Sequence, residues 1–141
     1  MNNRKKYLKD LEEYPNDTDG IVCKFIDPIT EYECEIRRHE FNGTYMAYVK
    51  IPETHKLFNS HYNDINHLFN IHGGITYSDE NGKFGIDFTH MMDYRIEYLF
   101  DILGQRMTES QNRIRDEKHF WNYMEVKNEI LKLALQFKQL E

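Results

Sequence analysis

Hydrophobic and polar residues alternate most regularly from Tyr32 to Phe41, with Tyr32, Cys34 and Ile36 on one face and Glu33, Glu35 and Arg37 on the other. A period of two marks a half-buried strand. Thr44 to Ile51 is a second β-prone run, closed by Pro52, and Asn42-Gly43 separates the two. That pair suits a type I′ turn, whose two central residues both need positive φ, so the segment predicts a tight hairpin. Ile21–Ile26 is a short strand stopped by Asp27-Pro28. Ile71 to Phe88 reads as a second hairpin with its loop over residues 78–83 and polar groups at the strand ends. From Asp116 the period becomes helical. Tyr123, Val126, Ile130, Leu133, Phe137 and Leu140 form a stripe, widened by Phe120, Met124, Leu131 and Ala134. Asp116 is the expected N-cap, with Glu117 in the first turn.

The remaining segments are less periodic. Residues 1–19 are polar, with a short helix expected through Tyr7, Leu8 and Leu11 and a loop over Tyr14–Gly20. The cluster Arg4, Lys5, Lys6 and Lys9 reads as a solvated helix face. Glu53–Asn70, with His55, His61 and His67, reads as a long ordered loop containing one helical turn. Asp93–Gly104 predicts a short helix and Gln105–Arg113 a polar linker. The expected fold is α+β: a mostly antiparallel sheet of about five to six strands with a long C-terminal helix packed on it. We read residues 1–141 as a single domain, with a polar N-terminal segment (1–19), a sheet region (21–93) and a C-terminal helix (116–140).

Composition narrows the function classes. At 141 residues the chain can bury about two-thirds of the surface it would expose unfolded. A net charge of -6 argues against a broad nucleic-acid surface, while leaving room for a small nucleotide in a local pocket. Cys23 and Cys34 are too few for a disulfide framework or a zinc knuckle and read as reduced thiols. No apolar run approaches the ~20 residues that span a bilayer. The start, Met-Asn-Asn-Arg-Lys-Lys-Tyr, lacks the apolar stretch of a signal peptide. The expectation is a cytoplasmic protein without membrane contact.

Candidate chemistry concentrates between Ile71 and Asp93. His72 and His90 can accept and donate protons near neutral pH, and two imidazoles flanking a phosphodiester can serve as base and acid without a metal. Asp87 or Asp93 could orient a ring and fix its tautomer. Gly73-Gly74 would let backbone N–H groups approach a phosphate or a developing oxyanion. Thr76, Tyr77 and Thr89 offer hydroxyls. Arg37, Arg38, Arg95, Arg113 and Arg115 are candidate phosphate clamps. Tyr48, Tyr77 and Trp121 are candidate platforms for a base, although core packing is the simpler role for them. The same histidines and carboxylates could ligate zinc or another transition metal. No helical His-x-x-x-His or Cys pair backs that alternative, so no cofactor is expected.

Several runs resemble one family: Ala47-Tyr48-Val49-Lys50-Ile51-Pro52-Glu53-Thr54-His55, Tyr62-Asn63-Asp64, His72-Gly73-Gly74-Ile75-Thr76-Tyr77-Ser78, and Phe84-Gly85-Ile86-Asp87-Phe88-Thr89-His90-Met91-Met92-Asp93. They are similar to elements of small proteins found widely in bacteriophages and prophages. Those proteins carry Gly-Tyr-Val-x-Val-Pro-x-x-His-Pro, His-Gly-Gly-Leu-Thr-Tyr-Ser and Gly-Phe-Asp-x-x-His-x-x-Asp elements. Arg115-Asp116, Tyr123 and Glu129 loosely echo the opening of the family's C-terminal helix. The resemblance spans roughly residues 45–135. This chain departs from the pattern at Ala47, at Lys56 and at Phe58-Asn59, but His72, Asp87, His90 and Asp93 all match. The resemblance implies a phage accessory protein acting in the bacterial cytoplasm, and no defined reaction.

Chemistry and resemblance together give three expectations. The first is an anti-defence hydrolase that cleaves a host nucleotide immune signal, such as a cyclic di- or oligonucleotide. His72 and His90 would be its acid–base pair, with Asp87 or Asp93 orienting them. Gly73, Gly74, Thr76, Tyr77, Tyr48, His55 and Arg115 would hold the ligand. The second is an oligomeric sponge that sequesters the same signal without turnover. The third is a protein-binding inhibitor of a host factor.

Overall fold

The computed structural model describes residues 2–141. Five strands form one antiparallel sheet in the order β1-β2-β3-β5-β4: β1 Ile21–Ile26, β2 Glu33–Arg38, β3 Tyr45–Lys50, β4 Tyr77–Ser78 and β5 Lys83–Asp87. Among the described residues there are also four α-helices: α1 Asn3–Glu13, α2 Tyr62–Ile65, α3 Glu109–Asp116 and α4 Tyr123–Gln139. The expected α+β architecture holds, with five strands and the C-terminal helix laid on the sheet.

The core lies between one sheet face and α4. Cys34, Ile36, Ala47, Val49, Phe84 and Ile86 face Val126, Ile130, Leu133, Ala134 and Phe137, all buried. Each fully buried large aliphatic or aromatic side chain contributes about 1.5–3 kcal/mol. The N-terminal helix is fastened by polar contacts. Asp10 Oδ1 accepts from the Tyr123 backbone N–H at 3.1 Å, and the Tyr45 hydroxyl donates to Asp10 Oδ2. Arg38, which shares the core face of β2, donates to the Tyr45 hydroxyl at 2.7 Å and to the Tyr14 carbonyl at 2.9 Å. Buried polar groups are stable only with partners of this kind.

Five local expectations need correction. The β2–β3 connection is not a type I′ turn, because Gly43 is left-handed (φ 66) but Asn42 is not. The Asn42 side chain instead accepts from the Thr44 N–H and hydroxyl, and a longer loop over residues 40–43 closes on the His39 N–H to Thr44 carbonyl bond at 2.8 Å. Ile71–Thr76 is not strand, since two consecutive left-handed glycines, Gly73 and Gly74, turn the chain, so that pairing with β5 begins only with the Thr76 N–H to Gly85 carbonyl bond at 2.8 Å and the strand is Tyr77–Ser78. Asp93–Gly104 is not an α-helix. It starts extended and ends in a single π-helical turn, Tyr98–Ile102, gathered around buried Asp101, which accepts from the Glu97 N–H and the Tyr94 hydroxyl.

The supposed linker after it contains α3, started by a Thr108–Gln111 capping box. Helix α3 buries no residue, so it carries no apolar stripe to reveal it. Last, Asp116 ends α3 rather than starting the final helix. Asn122 caps α4, again in a capping box, with Glu125. Cys23 and Cys34 are both free thiols. Among the described residues, no helix is long and apolar enough to cross a membrane.

Candidate functional site

Three separate stretches of chain meet beyond the end of β5. The first is the turn Ile71–Gly74, closed by the Gly74 N–H to Ile71 carbonyl bond at 3.1 Å. It is moored to α4, where Glu129 Oε1 accepts from the His72 N–H at 2.7 Å. The second is the run leaving β5, which turns through the Asp93 N–H to His90 carbonyl bond at 2.9 Å. The third precedes α4. It pairs with the second through a parallel bridge between Asp93 and His119, and this brings Trp121 against Asp93.

Asp93 is the centre of the cluster and is only 2% exposed. Its Oδ1 accepts from Trp121 Nε1 at 2.9 Å and its Oδ2 from the His90 backbone N–H at 3.0 Å. His72 Nε2 lies 3.0 Å from both oxygens. A carboxylate with three donors is fixed in place and favours a proton on Nε2 of His72, which leaves Nδ1 as the basic atom of that ring. Aromatic walls hold the imidazole from two sides: Trp121 at 4.4 Å and Phe88, nearly parallel, at 5.7 Å between ring centroids.

His90 approaches His72 edge to face, at 5.2 Å between centroids. It has its own carboxylate, since Asp87 Oδ1 stands 3.4 Å from His90 Nε2. That separation suits an ion pair when the ring is charged, but it is not aligned as a hydrogen bond, and the buried Nε2 atom has no other partner. Burial by itself would raise the Asp87 carboxyl. Hydrogen bonds from the Thr76 hydroxyl and from the Thr89 N–H and hydroxyl, with the charge of His90, outweigh it and hold Asp87 below the usual range. Gly73 makes the approach of His90 possible. A Cβ on Gly73 would lie 1.8 Å from His90 Nε2, and its φ of 67 is itself left-handed.

His72, His90, Asp87 and Asp93, named from the sequence, therefore do come together. Of the proposed ligand-binding set, Gly73 and Thr76 join them, but the Gly74 N–H is committed to Ile71. Tyr48 and Tyr77 pack edge to face on the opposite side of the sheet from α4, 5.5 Å apart. His55 is buried at the other end of α4, with Nε2 2.7 Å from the Phe137 carbonyl. Arg115 is tied to Asp101 and the Tyr94 hydroxyl. The structure does not bring His55 or Arg115 to the histidines.

Two residues that serve the site were not singled out for it. Trp121 read as a stacking or core residue, and its N–H has no local sequence signal pointing to Asp93. Glu129 figured only as an echo of the family's helix. The larger grooves lie elsewhere: one of about 530 Å3 on the open sheet face by Lys24, Glu35, Tyr48 and Lys83, another of about 510 Å3 beside Arg115. Neither contains His72 or His90. Compared with known proteins, the chain matches no family model, no curated protein and no solved structure.

Proposed function

We propose that the protein is a hydrolase using His/Asp acid–base chemistry, and that it cleaves a small nucleotide signal on behalf of a phage or prophage. One observation carries the chemical part: the hydrogen bond of His72 to a buried Asp93 that Trp121 and the His90 N–H also hold. A buried carboxylate bonded to an imidazole sets the tautomer and stabilises the imidazolium formed when the ring takes a proton. In the proposed reaction His72 removes the proton from an attacking water or ribose hydroxyl. His90, charged and paired with Asp87, gives a proton to the oxygen that leaves phosphorus. One proton is taken and one is returned, so the pair ends with its charges exchanged and is reset by solvent.

The ligand class rests on the suitability of paired imidazoles for phosphodiester chemistry and on the resemblance to phage proteins. The experiment compares turnover and binding of cyclic nucleotides by wild type, His72→Ala and His90→Ala. We expect each substitution to lower turnover by about 10²–10⁴-fold while nucleotide binding survives. Weaker binding with no turnover to lose in the wild type would favour a sponge. If neither histidine matters for either property, both nucleotide readings fall.

A further inference from the structure

We propose that His72, His90 and Asp93 form a site for one divalent transition-metal ion of the zinc type. One donor atom from each lies within 4.8 Å of the other two. In a tetrahedral zinc site with bonds of about 2.0–2.1 Å, donor atoms stand roughly 3.3 Å apart. His72 Nε2 is already 3.0 Å from the Asp93 oxygens, a spacing that fits two ligands of one ion as well as it fits a hydrogen bond. The remaining closure falls to His90. Its side chain is 34% exposed, and no hydrogen bond restrains its Nε2. Two imidazoles and one carboxylate select zinc, cobalt or nickel over magnesium and calcium, which prefer oxygen ligands only.

The surroundings support the same assignment. Metal-bound carboxylates and imidazoles are normally aimed by hydrogen bonds from outside the ligand set. Here Trp121 Nε1 and the His90 N–H aim Asp93, and the Glu129 carboxylate anchors the backbone of His72. Three protein ligands leave a fourth position for water or an anionic ligand, as in catalytic rather than structural zinc sites. Metal binding here depends on the placement of the three ligands and not on nucleotide cleavage. An ion at this place would displace the Nε2 proton of His72 and its bond to Asp93, which set the tautomer that the proposed acid–base reaction rests on, so zinc would inhibit that reaction.

The test is titration of chelator-treated full-length protein with Co2+, followed by its visible spectrum, in parallel with Zn2+ titration followed by histidine ring NMR signals. We expect a saturable 1:1 cobalt spectrum that Zn2+ displaces and Mg2+ does not. We also expect that, of the seven histidines, only His72 and His90 change under stoichiometric zinc. His90→Ala should abolish the cobalt spectrum, and Trp121→Phe should weaken binding roughly 10-fold. The wild-type NMR result needs no variant, so a poorly folding substitution leaves the test intact. Absence of a saturable cobalt spectrum would overturn the proposal. So would a spectrum that survives in a folded His90→Ala protein, or zinc shifts confined to other histidines.

Discussion

At the scale of single residues, the tightest requirement is at Gly73. Its left-handed φ costs a side chain roughly 1–2 kcal/mol, and a Cβ there would also overlap His90. We predict that Gly73→Ala lowers stability by at least that amount in urea unfolding and displaces His90, with turnover falling together with stability. Asp93→Asn tests a different feature. An amide keeps the shape but loses one acceptor and sets an NH2 group against existing donors. The expected cost is about 1–3 kcal/mol, with loss of the tautomer that His72 needs. The glycine and histidine motif was plain in the sequence, but its reason was not. It read as a cradle for phosphate; that Gly73 also makes room for an imidazole only the fold can reveal. Cys34 gives a simpler prediction. Burial pushes its thiol up to about 12, so iodoacetamide should leave it unmodified in the native protein and label it after unfolding.

At the scale of elements, β2 and α4 each carry a measurable contribution. Glu35 on β2 is buried among Lys83 at 2.8 Å, Arg37 at 3.2 Å and Lys24 at 3.6 Å. Burial would raise its carboxyl, but the bonds and charges of Lys83 and Arg37 prevail and hold it below 4.5. The unfolded chain therefore binds the proton more readily than the native one. Stability from Glu35 is present above about pH 4.5 and is lost as pH falls through the lower native value. Urea midpoints measured from pH 6 down to 3.5 should drop, and Glu35→Gln should flatten that dependence. Helix α4 depends on its cap and its core face. Asn122→Ala should cost about 1 kcal/mol and Leu133→Ala about 2–5 kcal/mol, both readable by thermal or urea unfolding. The stripe from Tyr123 was legible because burial writes itself into a helical period. The start of α4 was misplaced because two helices follow one another here. Only the Asn122–Glu125 and Thr108–Gln111 capping pairs mark where each begins.

At the scale of the whole molecule, the site is assembled from parts far apart in the chain. The sheet delivers Asp87 and His90, a glycine turn delivers His72, and the segment before α4 delivers Trp121. The strand pattern and the helix stripe were enough to read an α+β fold with the final helix on the sheet. They were also enough to bring His72 near His90, because the two lie just outside the ends of the β4–β5 hairpin. Nothing in a linear pattern joins Trp121 to Asp93 or Glu129 to His72. Those pairings depend on how the helix is set against the sheet, which is fixed by core packing and by the Asp10–Tyr45–Arg38 contacts. For the same reason Arg115 and His55, assigned to the ligand from chemistry and resemblance together, sit at contacts of their own.

The proposed activity of this cluster, turnover of a nucleotide signal, can be read by incubating purified protein with a panel of cyclic nucleotides and ADP-ribose derivatives, then denaturing it by heat and separating what is released by chromatography. We expect at least one cyclic nucleotide to be returned as a linear product by wild type and intact by His72→Ala. A nucleotide depleted before heating and returned intact by wild type would rule out turnover, as would a panel left unchanged.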